Sequence, residues 1–336
     1  MTVAGRFRGW LSARGRFQFC LTVAMVAVLT GTCGALVLLP NSVLPKLRAA
    51  QTASADAFPA AAPDDPRLAA VRRTLEPFGA IVARRVPTGN GQESLVAGHR
   101  AQNIEMGVLE RELAQATAAV TEVWGADWAQ SAVVVVASNP SEFAALIKSG
   151  ASMPSEIAAA SVADPFAPGT RPTGQRVVFS PEAGRRLGPD GLRTLLRHEL
   201  THVAARAQTV DGAPQWMLEG FADFVAHRGQ HHGFADIAPT LTAHVRAGDL
   251  PADLPADSEF GGANASFAYE RAWSVCQFVA ERFDQPRLVQ LYHRIAASKQ
   301  DGASEDRILR EVLGTGRAEF VGEWRAWLPG QAGAQR

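Results

Sequence analysis

Residues 198–202 read His198-Glu199-Leu200-Thr201-His202, and no other stretch constrains the chain as tightly. On a helix, side chains four apart stand one above the other on the same face. His198 and His202 can then reach one zinc ion together, and Glu199 beside them can hold a water next to it. The flanks supply the helix. Pro189-Asp190 is a helix start signal, and Leu192, Leu195, Leu196, Leu200 and Val203 recur at helical spacing. Catalytic zinc takes three protein ligands and leaves the fourth position to water, so two imidazoles are not enough. The fold must lay a second element across the first.

The next apolar stretch supplies that element. After a turn at Gly212-Ala213-Pro214 the chain reads Trp216-Met217-Leu218-Glu219-Gly220-Phe221-Ala222-Asp223-Phe224. Glu219 is the expected third ligand. Asp223, one turn further on the same face, is placed to accept the second ring N–H of a ligating histidine and so fix its tautomer. The plain alternative is a solvated helix face, but Trp216, Leu218, Phe221 and Phe224 surround both carboxylates with apolar bulk. His227, His231, His232 and His244 follow. His231-His232 next to Gly233 reads as a loop, and Glu219 fits the helical context better than any of these four as a ligand.

His198–His202 followed by Trp216–Phe224 resembles the gluzincin metallopeptidases, the clan of thermolysin and the M1 aminopeptidases, and looks closest to small bacterial "peptidase MA-like" proteins. The resemblance implies one zinc held by His198, His202 and Glu219, with Glu199 as general base and a peptide or protein as substrate. Its specific motifs occupy only residues 197–225. The interval from His202 to Glu219 is slightly shorter than in thermolysin or the M1 enzymes. No GxMEN aminopeptidase motif precedes the helix; Gly261-Gly262-Ala263-Asn264 lies after it. The extended metzincin pattern fails, because Ala205 and Gln208 stand where glycine and histidine are required. Similar proteins often carry a tyrosine at the head of a later helix. Here Tyr269 opens one, which makes it the candidate to steady an oxyanion; the alternative is a tyrosine packed between helix and core. The whole set of His198, Glu199, His202 and Glu219 favours an active peptidase. A zinc hydrolase of non-peptide amides and a non-catalytic zincin-like sensor or partner-binding module are the other readings, and a bare scaffold has no need of Glu199.

The N-terminus bears on compartment. Residues 17–45 carry no charge and 21–39 are mostly apolar, long enough to span a bilayer as a helix. Arg6, Arg8, Arg14 and Arg16 precede this stretch, which favours an N-terminus inside and the remainder outside. The expected organisation is a cytoplasmic basic tail (1–17), a transmembrane anchor (18–40), a flexible linker (41–66) and one zincin-like domain (67–329). A signal peptide cleaved late, near Ala53-Ser54-Ala55, is the rival. Cys33 lacks a lipobox, and Cys276 alone falls in the outer domain, so no intradomain disulfide forms there. Lys plus Arg equals Asp plus Glu at 33 each, which gives no basic surface for nucleic acid.

Periodicity predicts helices over 101–123, 140–148, 237–247, 268–283, 285–297, 305–312 and 317–327. Strands are expected over 132–137, 158–163 and 176–180, with a helix and further strands over 67–100. Strands and helices come first and helices alone afterwards, with the motif helices between. This is an α+β chain: a small mixed sheet followed by a mostly helical, zincin-like C-terminal lobe.

Overall fold

The structure, a computed structural model, describes residues 65–148, 157–166, 170–261 and 264–333. The apolar stretch read as an anchor lies outside these. Among the described residues no helix is long and apolar enough to cross a membrane.

A short helix α1 (Ala69–Leu75) leads into a hairpin of β1 (Ile81–Gly89) and β2 (Gln92–His99), followed by the long helix α2 (Asn103–Trp124). Asn90 and Gly91, both at positive φ, make the hairpin turn, as a two-residue Asn-Gly loop does when it matches strand twist. Then come β3 (Val133–Val136), α3 (Pro140–Leu146), β4 (Ala159–Val162) and β5 (Arg176–Phe179). The sheet order is β1-β2-β3-β5-β4. β2, β3 and β5 run parallel, while β1 and β4 pair antiparallel at the two edges. The architecture is therefore the expected mixed sheet followed by helices.

Val133 and Val135 face one side of the sheet and Val134 and Val136 the other, as the two-residue period requires. The first pair packs with Leu68, Leu75, Phe143 and Leu146 under α1 and α3. The second joins a larger core with Leu109, Leu113, Leu196 and Leu200. Burial on both faces is why four consecutive valines stand in the central strand.

The helical half comprises α4 (Ala183–Ala205), α5 (Gln215–His227), α6 (Phe234–Ile237), α7 (Pro239–Arg246), α8 (Ala265–Arg282), α9 (Gln285–Ile295), α10 (Gly302–Leu313) and α11 (Arg317–Gly333). The motif helix starts earlier than the expected Pro189, because a first turn forms from Ala183. Gly188, at φ 63° and ψ −175°, then breaks the helix before Pro189 restarts it. The expected helix over 237–247 is two, with Pro239 opening the second at its first position.

α5 lies against both α4 and α8, and α4 packs on α2. Gly220 makes the α5–α8 contact possible: a Cβ there would stand 2.3 Å from the Ala272 carbonyl oxygen and 3.0 Å from Cys276 Sγ. Trp216 Nε1 donates to Glu305 Oε1 at 2.8 Å and ties the start of α5 to α10. Glu219 is thus carried on a helix clamped from two sides. Glycine to alanine inside an open helix gains about 1 kcal/mol. Gly220→Ala should instead cost about 1–3 kcal/mol, because rigid backbone has to yield. A urea midpoint that stays put or rises in this variant would contradict the close packing.

Candidate metal centre

α4 puts His198 and His202 on one face, and α5 brings Glu219 across them. His198 Nε2 and His202 Nε2 stand 3.0 Å apart. Glu219 Oε2 is 3.4 Å from the first and 3.8 Å from the second. One atom from each of the three lies within 4.8 Å of the others. All are buried: His198 is 3% exposed, His202 8% and Glu219 1%.

Asp223 Oδ1 accepts a 2.7 Å hydrogen bond from His198 Nδ1. That bond leaves the Nε2 atom facing His202 and Glu219. Glu199 is 0% exposed, and neither of its carboxylate oxygens has a hydrogen-bond partner; the same holds for Glu219 Oε2. Orphaned carboxylate oxygens in a dry site are costly. Two ring nitrogens and a carboxylate oxygen converging there are the donor set zinc takes in catalytic sites. The residues fit the ion.

The protonation pattern has the same origin. Burial pushes the Glu199 carboxyl up to about 8; His198 pulls it back and the charge of Glu219 adds to the rise. Burial likewise raises Glu219 to about 7, against the pull of the neighbouring His198. His202 falls well below the usual imidazole value through burial and the neighbouring His198. For His198 burial alone would do the same, but Asp223 and Glu219 together outweigh it and hold the ring well above.

Ser161 was not anticipated. It lies on the edge strand β4 and is 8% exposed; near Glu199, it offsets a small part of the rise that burial gives that carboxyl, without a hydrogen bond to either oxygen. Strand alternation aims it there: Ala159, on the same face, joins the core with Leu196 and Leu200 of α4, whereas Ala160 and Val162 face the other side. The signal in the sequence was a single polar residue within an apolar strand.

Tyr269 sits in the second turn of α8, the helix packed on α5. It is buried, with its ring edge-on to Phe260 at 5.1 Å, and one helical turn precedes Ala272, which abuts Gly220. His231 and His232 are exposed in the loop after α5, and His244 pairs with Asp249 at 2.6 Å. His227 is buried one turn beyond Asp223, outside the three-residue cluster. Cys276 is buried against α5, where burial pushes its thiol well up and keeps it unreactive.

No family model matches the chain, and no curated protein matches it. Among solved structures it is similar to an M1 zinc metallopeptidase from Deinococcus radiodurans, at 17% identity and a TM-score of 0.46, over 75% of this chain and 53% of that one. A mutant M1 zinc metallopeptidase from the same organism, bound to a Tyr-Ser-Ala substrate, matches at 16% identity and a TM-score of 0.43, over 75% and 53%. The chain spans about half the length of these structures. Likenesses this slight assign neither a family nor an activity.

The buried Glu199 has a measurable consequence in the metal-free protein. Its folded value of about 8 lies above the usual 4.5, so folding retains the proton. Below the lower value the carboxyl is neutral in both states. As pH rises towards the upper value, the unfolded chain releases the proton and the folded one keeps it. Stability falls in that interval by at most about 1.4 kcal/mol per pH unit and levels off above it. Glu199→Gln has no such proton to lose. With chelator present, its melting temperature should exceed that of the wild type by a margin that widens from pH 5 to pH 8. A constant or shrinking margin would show that Glu199 is not held neutral by burial.

Proposed function

We propose that the protein is a zinc-dependent peptidase. The observation that carries this reading is the meeting of three buried ligand atoms, from His198, His202 and Glu219, beside a buried carboxylate, Glu199, whose oxygens have no partner. His198, His202 and Glu219 would hold the metal, and Asp223 keeps His198 in the tautomer that presents Nε2. Bound there, zinc would acidify a water and polarise the scissile carbonyl. Glu199 takes the proton of the attacking water on a carboxylate oxygen and hands it to the leaving amine nitrogen. Its folded value near 8 in the metal-free protein marks a carboxyl able to hold a proton at neutral pH. Tyr269 donates its hydroxyl proton in a hydrogen bond to the developing oxyanion.

A substrate route follows from the sheet. β4 is an edge strand beside Glu199, with no strand on its outer side among the described residues. An extended peptide added along that edge passes its backbone across the cluster, and main-chain hydrogen bonds supply affinity without demanding a particular sequence. The presence of Glu199 favours this reading over a metal-binding module without catalysis, which would bury a second carboxylate at a cost and for no return.

Purified protein should hold one zinc, lost in His198→Ala and weakened in Glu219→Ala. Glu199→Gln should keep the zinc and lose turnover by about 10²–10⁴-fold. Tyr269→Phe should lower kcat on the order of a hundredfold with KM little changed, the mark of a contact made mainly in the transition state. Near-normal peptide cleavage by Glu199→Gln would sink the peptidase reading. Near-normal kcat in Tyr269→Phe would remove Tyr269 from it.

We also propose, from the sequence, that the protein is anchored in the cell membrane by residues 18–40 with its N-terminus cytoplasmic and the site outside. After an alkaline wash it should stay with the membranes. A soluble form beginning near residue 56 would mean cleavage and secretion instead.

A further inference from the structure

Beyond Asp223, away from Glu219, α5 carries one more potential ligand, His227, its last residue. Asp223 turns Oδ1 to His198. His227, four residues on, occupies the same helix face. It is 9% exposed, and its Nδ1 is buried with no hydrogen-bond partner. Its ring stands edge-on to that of His232 at a centroid distance of 6.1 Å. His232 is exposed, in the loop between α5 and α6. Asp223 and His232 both act electrostatically on His227, and burial above all lowers its pKa to about 4, so its ring is neutral and its lone pair available at neutral pH. The inner histidines provide a ruler: with Nε2 atoms 3.0 Å apart, their ring centroids are 4.7 Å apart. The outer ring centroids stand 1.4 Å farther apart than the inner ones (6.1 against 4.7 Å); among the described residues only the inner three are already gathered, so a metal would draw in His232, the one of the outer group on a loop.

We propose that Asp223, His227 and His232 form a second, outer site for a divalent transition metal, weaker than the inner cluster and sharing Asp223 with it. Imidazole nitrogens with one carboxylate oxygen select zinc, nickel or copper over calcium or magnesium, which prefer oxygen alone. The outer site borrows only Asp223 from the inner-site reading. A buried imidazole nitrogen with no partner is otherwise an unexplained cost in a well-packed region.

The test is a zinc titration of the full-length protein already holding its first equivalent, followed by calorimetry. Wild type should take up a second, weaker zinc. His232→Ala, a change at an exposed loop position, should weaken that second equivalent at least about tenfold while leaving the first equivalent and the turnover it supports in place. His227→Ala should do the same, and calcium should not substitute for zinc. The proposal is overturned if wild type shows no second equivalent at millimolar zinc, if His232→Ala leaves it intact, or if His231→Ala removes it instead. The first equivalent, monitored in His202→Ala, reports on the inner cluster separately, so failure of one site is distinguishable from failure of the other.

Discussion

Four ionisable side chains share one dry volume, and the rest of the molecule is arranged around that fact. His198, Glu199, His202 and Glu219 are each less than a tenth exposed. Taking such groups out of water is expensive, and apolar residues of similar size would make a more stable core. Left to themselves three of them lose charge, as both carboxyls rise and His202 falls, while Asp223 and Glu219 hold His198 high against burial. A bound cation would reverse the balance, since His198, His202 and Glu219 could offer it two imidazole nitrogens and a carboxylate oxygen at once. Burial of this kind at the centre of a fold costs stability, and that cost is what the proposed chemistry would explain.

The scaffold supports that arrangement by rigidity. A four-valine central strand, buried on both faces, holds the sheet that α2 and α4 pack against. α5 is pressed so closely on α8 that only glycine fits at position 220, and Trp216 reaches Glu305 to fix its start. The two ligand-bearing helices therefore meet at a distance set by core packing, which admits little play. Among the described residues β4 is an edge strand of the sheet, and its Ser161 bears on Glu199.

Asp223 links the centre to the surface. It holds the outer nitrogen of His198, and one turn further along the same face stands His227, close to the exposed His232. A single helix thus carries Glu219, Asp223 and His227 at successive turns of one face.

Much of this was written locally. His198 and His202 share a face because they are four apart in one helix, and Glu219 and Asp223 do so for the same reason; such spacings belong to the chain itself. The strand–helix order, and with it the mixed sheet followed by helices, was also legible from period. Boundaries set by single backbone conformations were less so. Gly188 permits a helical turn before Pro189 that the proline signal concealed, and the hairpin at Asn90-Gly91 stayed unresolved within a polar stretch. Which elements touch was decided only by the fold. Ser161 faces Glu199, His198 lies 3.4 Å from Glu219, and His227 stands against His232 because β4, α4, α5 and the following loop pack in one order. The first two of those contacts join segments far apart in sequence, and they are set by the shared burial of apolar faces, which no local periodicity encodes.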